Sequence, residues 1–302
     1  MKKITAILGF IFCFTIISCK EGKAQTYQFN DTQLLERVKV LSSDDFKGRK
    51  AGEQSSTLAQ DYIIKQFKDL GVAGFNNKYK QHFTFSRQDK VINATNILAE
   101  IKGSEFPEKY IVISAHYDHL GVSNETIYNG ADDNASGVSA MVSFAEYLVK
   151  NPPKHSVIFA AFDAEELGLK GAKHFVNTID KDKVLVNLNM DMISRSSKNE
   201  LYVVGTRYND ALKKIIEAFK NPTDSKLIQG HDGTDDKQNW TMSSDHGLFH
   251  LKKIPFLYFG NEDHKAYHQP TDDFEDITPE FYKNAVTIIL NIFKAIDDTG
   301  LN

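Results

Sequence analysis

Apolar residues along this chain recur first at helical and then at strand spacing, and the changes of period mark out its elements. Leu34, Leu35, Val38 and Leu41 lie at helical spacing, and Ala59, Ile63, Phe67 and Leu70 repeat the pattern before Gly71 stops it. Apolar runs at Thr95–Ile101 and Tyr110–Ala115 read as strands. A helix is expected from Ala135 to Val149, burying Val138, Met141, Val142, Ala145, Leu148 and Val149. The alternation then continues with a strand at Val157–Phe162, a helix over Glu166–Val176, strands at Val184–Met190 and Leu201–Val204, a helix over Ala211–Phe219, a strand at Ile254–Phe259 and an amphipathic helix over Phe281–Ile296. Strands without polar alternation, separated by helices, imply a sheet covered on both faces. The expected fold is α/β, three layers (α/β/α) around a central mixed, mostly parallel sheet. Ligands of such folds bind at the carboxyl ends of the strands. His116 follows one apolar run, Glu165 and Glu166 follow another, and Asp191 closes a third.

The first residues read as an address. Lys2 and Lys3 precede an apolar run from Ile4 to Ile17 that is short for a membrane span. The run ends in Ile16-Ile17-Ser18-Cys19, which resembles a bacterial lipoprotein signal with Cys19 as the lipidated residue. An ordinary secretory signal cut near Ala24 is the alternative. The expected organisation is a leader over 1–18, a polar tether over 19–27 and a single domain over 28–302, since no Gly/Ser/Pro linker divides the rest. Export to the bacterial cell envelope (periplasm, outer membrane or cell surface), held to the membrane by a lipid at Cys19, would follow.

Loss of Cys13 with the leader leaves no thiol for a disulfide or for zinc, so metal ligation must come from His, Asp and Glu. A chain of about 280 residues buries a large core without staples. Loss of Lys2 and Lys3 takes the formal charge from −4 to −6. This mild acidity, with no basic stripe, excludes nucleic acid as a partner. Oligomeric state has no signature in the sequence.

Candidate chemistry concentrates in a few short strings. His116-Tyr117-Asp118 could give a metal one ring nitrogen while Asp118 accepts a hydrogen bond from the other; a structural histidine is the alternative. In Asn129–Gly137, small residues permit a tight turn that brings a carboxylate close to a metal pair, although Asp133 or Asn134 also suits a helix N-cap. Glu165 and Glu166 point apart as neighbours, so one can bind metal while the other faces substrate; a solvated helix start would look the same. Asp191 is a charge in an apolar segment, which is costly unless paired or metal-bound. His268 lies in a turn-rich loop. Two imidazoles and three carboxylates suit two Zn2+ ions, with one carboxylate left for proton transfer, so metal-assisted hydrolysis is the leading expectation. His82, His155, His174, His231, His250 and His264 read as surface or packing residues, and His119 and His246 as neighbours of the site rather than ligands. The Gly230–Asp236 loop lacks the register of a calcium loop.

Together HYDHLG, NGADDNASG, AEELGL, NMDMI, SDH and YHQPTDD resemble, in order and separation, the co-catalytic di-zinc aminopeptidases of the aminopeptidase S and aminopeptidase Y type in peptidase clan MH, from about Val38 to Ile296. Gly48-Arg49-Lys50-Ala51-Gly52 resembles a further segment of that family. The resemblance implies the zinc exopeptidase fold and two Zn2+ per chain. It implies Asp132 as the carboxylate bridging both metals, Glu166 and His268 at one metal, and His116 and Asp191 at the other. Glu165 would be the general base, Tyr267 an oxyanion donor, and Asp118 the partner that orients His116. Asp245, in Ser244-Asp245-His246, would stand behind the ligands or in the pocket; Ser243 departs from the basic residue that the family often has there. A non-proline cis peptide is implied at Asp132-Asp133. The substrates would be peptides with a free N-terminus. A single-zinc glutaminyl cyclase and a carboxypeptidase are the alternative enzymes on this fold, and a non-catalytic binding module would be expected to lack Glu165 or a ligand.

Overall fold

The computed structural model describes residues 27–301. In chain order its elements are α1 (Asp31–Leu41), α2 (Gln54–Asp69), β1 (Ala73–Gly74), β2 (Lys80–Arg87), β3 (Lys90–Ile101), β4 (Phe106–His116), β5 (Gly121–Ser123), β6 (Thr126–Tyr128), α3 (Gly137–Lys150), β7 (His155–Phe162), α4 (Lys170–Thr178), β8 (Val184–Met190), β9 (Glu200–Val204), α5 (Asp210–Ala218), β10 (Lys226–Gln229), α6 (His246–Leu251), β11 (Phe256–Gly260) and α7 (Pro279–Thr299). The main sheet runs β1-β3-β7-β4-β8-β11-β9-β10, with β2 paired to β3. Its four central strands, β7, β4, β8 and β11, are mutually parallel, while β3 on one side and β9 on the other join them antiparallel.

Alternate side chains of the central strands enter opposite layers, as the period of a strand requires. Val157, Phe159 and Ala161 of β7 pack with residues of α1, α2, α3 and α7, while Ile158, Ala160 and Phe162 pack with Ala172, Phe175 and Val176 of α4 and Phe249 of α6. The three-layer α/β/α arrangement is therefore observed, with a parallel centre and antiparallel flanks.

Several elements differ from the expectation. The helix expected from Glu166 begins at Lys170, because Ala164 (φ 58°), Gly168 (φ 98°) and Leu169 (φ 56°) adopt left-handed backbone that a helix cannot contain. Strand β2, the short β10 and the single-turn-and-a-half α6 carry too few apolar residues in regular register to be visible by periodicity. No described helix is long and apolar enough to cross a membrane. The leader and Cys19 lie outside the described residues.

Candidate metal centre and active site

Four parallel strands deliver the site. His116 ends β4, Asp163-Ala164-Glu165-Glu166 follow β7, Asp191 follows β8, and Asn261 opens the loop after β11 that carries Tyr267 and His268. Parallel register brings these ends together at one edge of the sheet.

The shared carboxylate is Asp133, not Asp132. Asp133 Oδ1 lies 3.2 Å from His116 Nε2, and Asp133 Oδ2 lies 3.2 Å from His268 Nε2. His116 Nε2 is also 3.2 Å from Asp191 Oδ1, and His268 Nε2 is 3.3 Å from Glu166 Oε2. Asp132, expected to bridge, turns the other way: its carboxylate accepts hydrogen bonds from Ser194, Asn261 and His264. The direction is set from both sides, because the Asp272 carboxylate accepts the backbone N–H groups of Asp132 (3.1 Å) and Asp133 (3.0 Å). The cis peptide bond is likewise one residue further on, at Asp133-Asn134. Gly130 (φ 59°) is required here, since a Cβ would fall 2.1 Å from the Asp133 carbonyl oxygen and 2.6 Å from the His119 ring.

Asp118 acts differently from the expectation. The nearest partner of His116 Nδ1 is the Asp118 backbone carbonyl at 3.1 Å, with the carboxylate at 3.7 Å. A carbonyl only accepts, so Nδ1 donates its hydrogen there and Nε2 is the nitrogen turned toward Asp133 and Asp191. The Asp118 carboxylate instead accepts the backbone N–H groups of Glu165 (3.0 Å) and Glu166 (3.4 Å), which fixes the turn after β7.

Two groups of donors therefore converge within ligand distance of one another: His116, Asp133 and Asp191, and His119, Asp133 and Glu166, with His268 against the second. His119 was expected to stand beside the ligands; its Nδ1 lies 2.9 Å from Glu166 Oε1 and its Nε2 is buried without a partner. Nitrogen and carboxylate-oxygen donors whose lone pairs face each other across about 3 Å repel unless a cation or proton lies between them. This donor set fits zinc, which takes His and carboxylate ligands.

Electrostatics follow from the crowding. Burial works against a charged His116, but the Asp191 and Glu165 carboxylates outweigh it and raise its pKa well above the usual imidazole value. Hydrogen bonds to Asp133 and Glu166 push His268 up to about 10. Burial opposes ionisation of Asp133, yet the surrounding imidazoles hold its pKa well below the carboxylate range. Glu165, not among the groups holding His116 and His268, is pushed well up by burial and then by Asp245 and Asp191, against the pull of His116.

Glu165 faces a cavity of about 400 Å³ that also exposes Leu169, Met192, Gln238, Trp240, Met242, Ser243, Tyr258, Asp263 and Tyr267. No Lys or Arg is among its described lining residues. Tyr267 stacks on His268 with ring centroids 4.0 Å apart. Asp245 does not reach the cavity; it is fully buried behind His116 and Asp191, with neither oxygen hydrogen-bonded, and burial pushes its pKa up to about 8.

One strong contribution carried no chemical label in the sequence. The fully buried Arg49 guanidinium donates to the carbonyls of Tyr117 (2.8 Å), Leu41 (2.7 Å), Asn129 (2.6 Å) and Gly130 (2.9 Å). It ties the end of β4 to the turn that presents Asp133.

A cluster of His and carboxylate groups at the carboxyl ends of parallel strands, arranged around one shared carboxylate, gives this α/β protein a site suited to zinc. Residues 96–293 match the profile of Peptidase family M28, and the chain belongs to that family. Among curated relatives, aminopeptidase YwaD of Bacillus subtilis is 31% identical over 190 residues, covering 59% of this chain and 39% of YwaD. A probable zinc metalloprotease of Phaeosphaeria nodorum is 32% identical over 219 residues, covering 59% of this chain and 44% of that protein. The chain thus spans less than half the length of either. Among solved structures, the zinc aminopeptidase BSAP of Bacillus subtilis superposes with a TM-score of 0.71 at 19% identity, over 90% of this chain and 96% of that one. The glutaminyl cyclase of Fimbriiglobus ruber gives 0.71 at 18% identity, over 90% and 97%. These likenesses show a shared fold.

Proposed function

We propose that the chain is a two-zinc aminopeptidase that removes N-terminal residues from peptides. The observation that carries this reading is the division of Asp133, with Oδ1 toward His116 and Asp191 and Oδ2 toward His268 and Glu166. His116 and Asp191 would hold one Zn2+, Glu166 and His268 the other, and Asp133 both. Zinc there would supply Lewis acidity, polarising a peptide carbonyl and lowering the pKa of water toward ~7.

The chain's own residues supply the rest. Glu165 takes the proton from the attacking water and delivers it to the leaving amine, a role suited to a carboxylate whose affinity for a proton burial has raised well above the usual carboxylate range. The Tyr267 hydroxyl, at the rim of the same cavity, donates to the oxyanion that develops on the scissile carbonyl. A substrate ammonium finds carboxylates in the cavity, whereas a C-terminal carboxylate finds no Lys or Arg there. That charge balance supports an aminopeptidase over a carboxypeptidase.

Glutaminyl cyclases share the fold. The presence of both donor groups, including His116 and Asp191, supports hydrolysis over single-zinc acyl transfer. Export and a lipid anchor at Cys19 belong to the same reading and rest on Lys2, Lys3, the Ile4–Ile17 run and Cys19; labelled palmitate should enter the wild-type chain and not Cys19→Ala.

The test is metal analysis with a panel of aminoacyl anilides, N-blocked anilides and an N-terminal glutaminyl peptide. Two zinc ions per chain and hydrolysis of free amines alone are expected. Cleavage of blocked substrates, or ammonia release from the glutaminyl peptide without hydrolysis, would overturn the reading.

A further inference from the structure

Asp132 stands outside the ligand cluster, and its hydrogen-bonding capacity is engaged by other segments. Oδ1 accepts from Ser194 N (2.7 Å) and Ser194 Oγ (2.8 Å), and Oδ2 accepts from Asn261 Nδ2 (3.1 Å) and His264 Nε2 (3.0 Å). Each donor belongs to a segment that also carries a site residue. Ser194 follows Asp191, and Asn261 and His264 lie in the loop that leads to Tyr267 and His268.

His264 is the centre of that loop. Its Nδ1 accepts from Ala266 N (3.3 Å), and its carbonyl oxygen accepts from Tyr267 N (3.0 Å). Because Nδ1 accepts, Nε2 carries the hydrogen and is the donor to Asp132. The backbone of Tyr267 is thus bonded to a residue whose ring is pinned to the neighbour of Asp133. The loop needs such a pin, since Tyr267 is 36% exposed and the His268 side chain 39% exposed, so packing alone does not hold them.

We propose that the Asp132–His264 hydrogen bond positions Tyr267 and His268 against Asp133, making Asp132 and His264 positioning residues of the candidate site. Its consequence for turnover rests on the proposed aminopeptidase function; its consequence for zinc binding at His268 needs only the metal centre. Adjacent aspartates then divide the work. Asp133 offers oxygens to metal, and Asp132 holds the opposite wall.

The test compares wild type with His264→Ala, His264→Gln, Asp132→Asn and the Asp132→Asn/His264→Ala double variant. Zinc affinity is measured by competition with a chromophoric chelator, and kcat and KM on an aminoacyl anilide. His264→Ala should weaken one of the two zinc equivalents about tenfold, leave the other within about threefold, and lower kcat about tenfold with little change in KM. The glutamine amide of His264→Gln can donate to Asp132 and should restore zinc affinity to within about threefold of wild type. His264→Ala should cost much less in the Asp132→Asn background than in wild type, because the contact it removes is already broken there, while Asp132→Asn adds its own loss at Ser194 and Asn261. Unchanged zinc affinities in His264→Ala, equal weakening of both equivalents, failure of glutamine to rescue, or additive losses would overturn the proposal. A wild-type protein that binds two zinc ions but cleaves no free-amine peptide would overturn the proposed function, and the zinc titrations would still decide the tether.

Discussion

On one side of the cavity His116, Glu165, Glu166 and Asp191 stand at the ends of β4, β7 and β8; on the other, Gln238, Trp240, Met242, Tyr267 and His268 come from the segments before α6 and after β11. The first wall inherits its position from strand register, in which Ser114 of β4 pairs with both Ala160 of β7 and Asn189 of β8. The second depends on individual side-chain ties. His231 stacks on Trp240 at 3.6 Å, His246 Nε2 donates to the Trp240 carbonyl at 2.8 Å, and His264 is pinned to Asp132. A sheet edge thus locates ligands by a repeated backbone pattern, whereas a loop needs dedicated polar contacts to reach comparable order.

The largest expected effects break the sheet wall. Asp133→Asn should lose both zinc equivalents and lower kcat/KM about 10³-fold or more, while Asp132→Asn still takes up two at saturating zinc; metal analysis and initial rates separate the two. Glu165→Gln should keep both ions and lower kcat roughly 10²–10⁴-fold, and full activity in that variant would exclude it as the base. Arg49→Met strands four carbonyls in the interior, so urea unfolding should show a loss of roughly 3–5 kcal/mol.

Smaller effects probe the loop wall. Burial lowers the His246 pKa to about 3, against the pull of its hydrogen bond to the Trp240 carbonyl. The folded value lies below the unfolded value of about 6.5, so the unfolded chain binds the extra proton and stability falls as pH drops between them. From pH 6.5 to 5 the loss from this group should be about 2 kcal/mol, and His246→Phe should flatten that slope in urea titrations at each pH. Last, Trp240→Leu trims an apolar cavity wall and should raise KM for bulky aminoacyl anilides about 3–10-fold with a lesser change in kcat; an equal fall in kcat would instead place Trp240 among the groups that act on the transition state.

The sheet wall was largely legible. Buried runs ending in His116, Glu165-Glu166 and Asp191 pointed to strand ends, and the structure brings these residues together. His268, weak as a lone histidine in a loop, needed the motif order to stand out. His264 had no signal at all, because a loop histidine looks the same whether it faces solvent or Asp132. His119 sits three residues beyond His116, and only the approach of its Nδ1 to Glu166 Oε1, within ligand distance of Asp133, distinguishes it from a packing histidine.

The succession of most helices and strands, the layered α/β class and the metal-binding character of the strings were legible in the sequence itself, since periodicity and residue type are local properties. Strands β2 and β10 and helix α6 were not, and Glu165 as candidate base came from the resemblance of the ordered motifs. Which of two adjacent aspartates faces the cluster was decided only in three dimensions. Asp132 is drawn away by Ser194 and His264, 62 and 132 residues along the chain, and the turn is gripped by Asp272, 140 residues from Asp132. A turn permits either carboxylate to point inward, and the choice falls to hydrogen-bond donors that only the folded chain brings within reach.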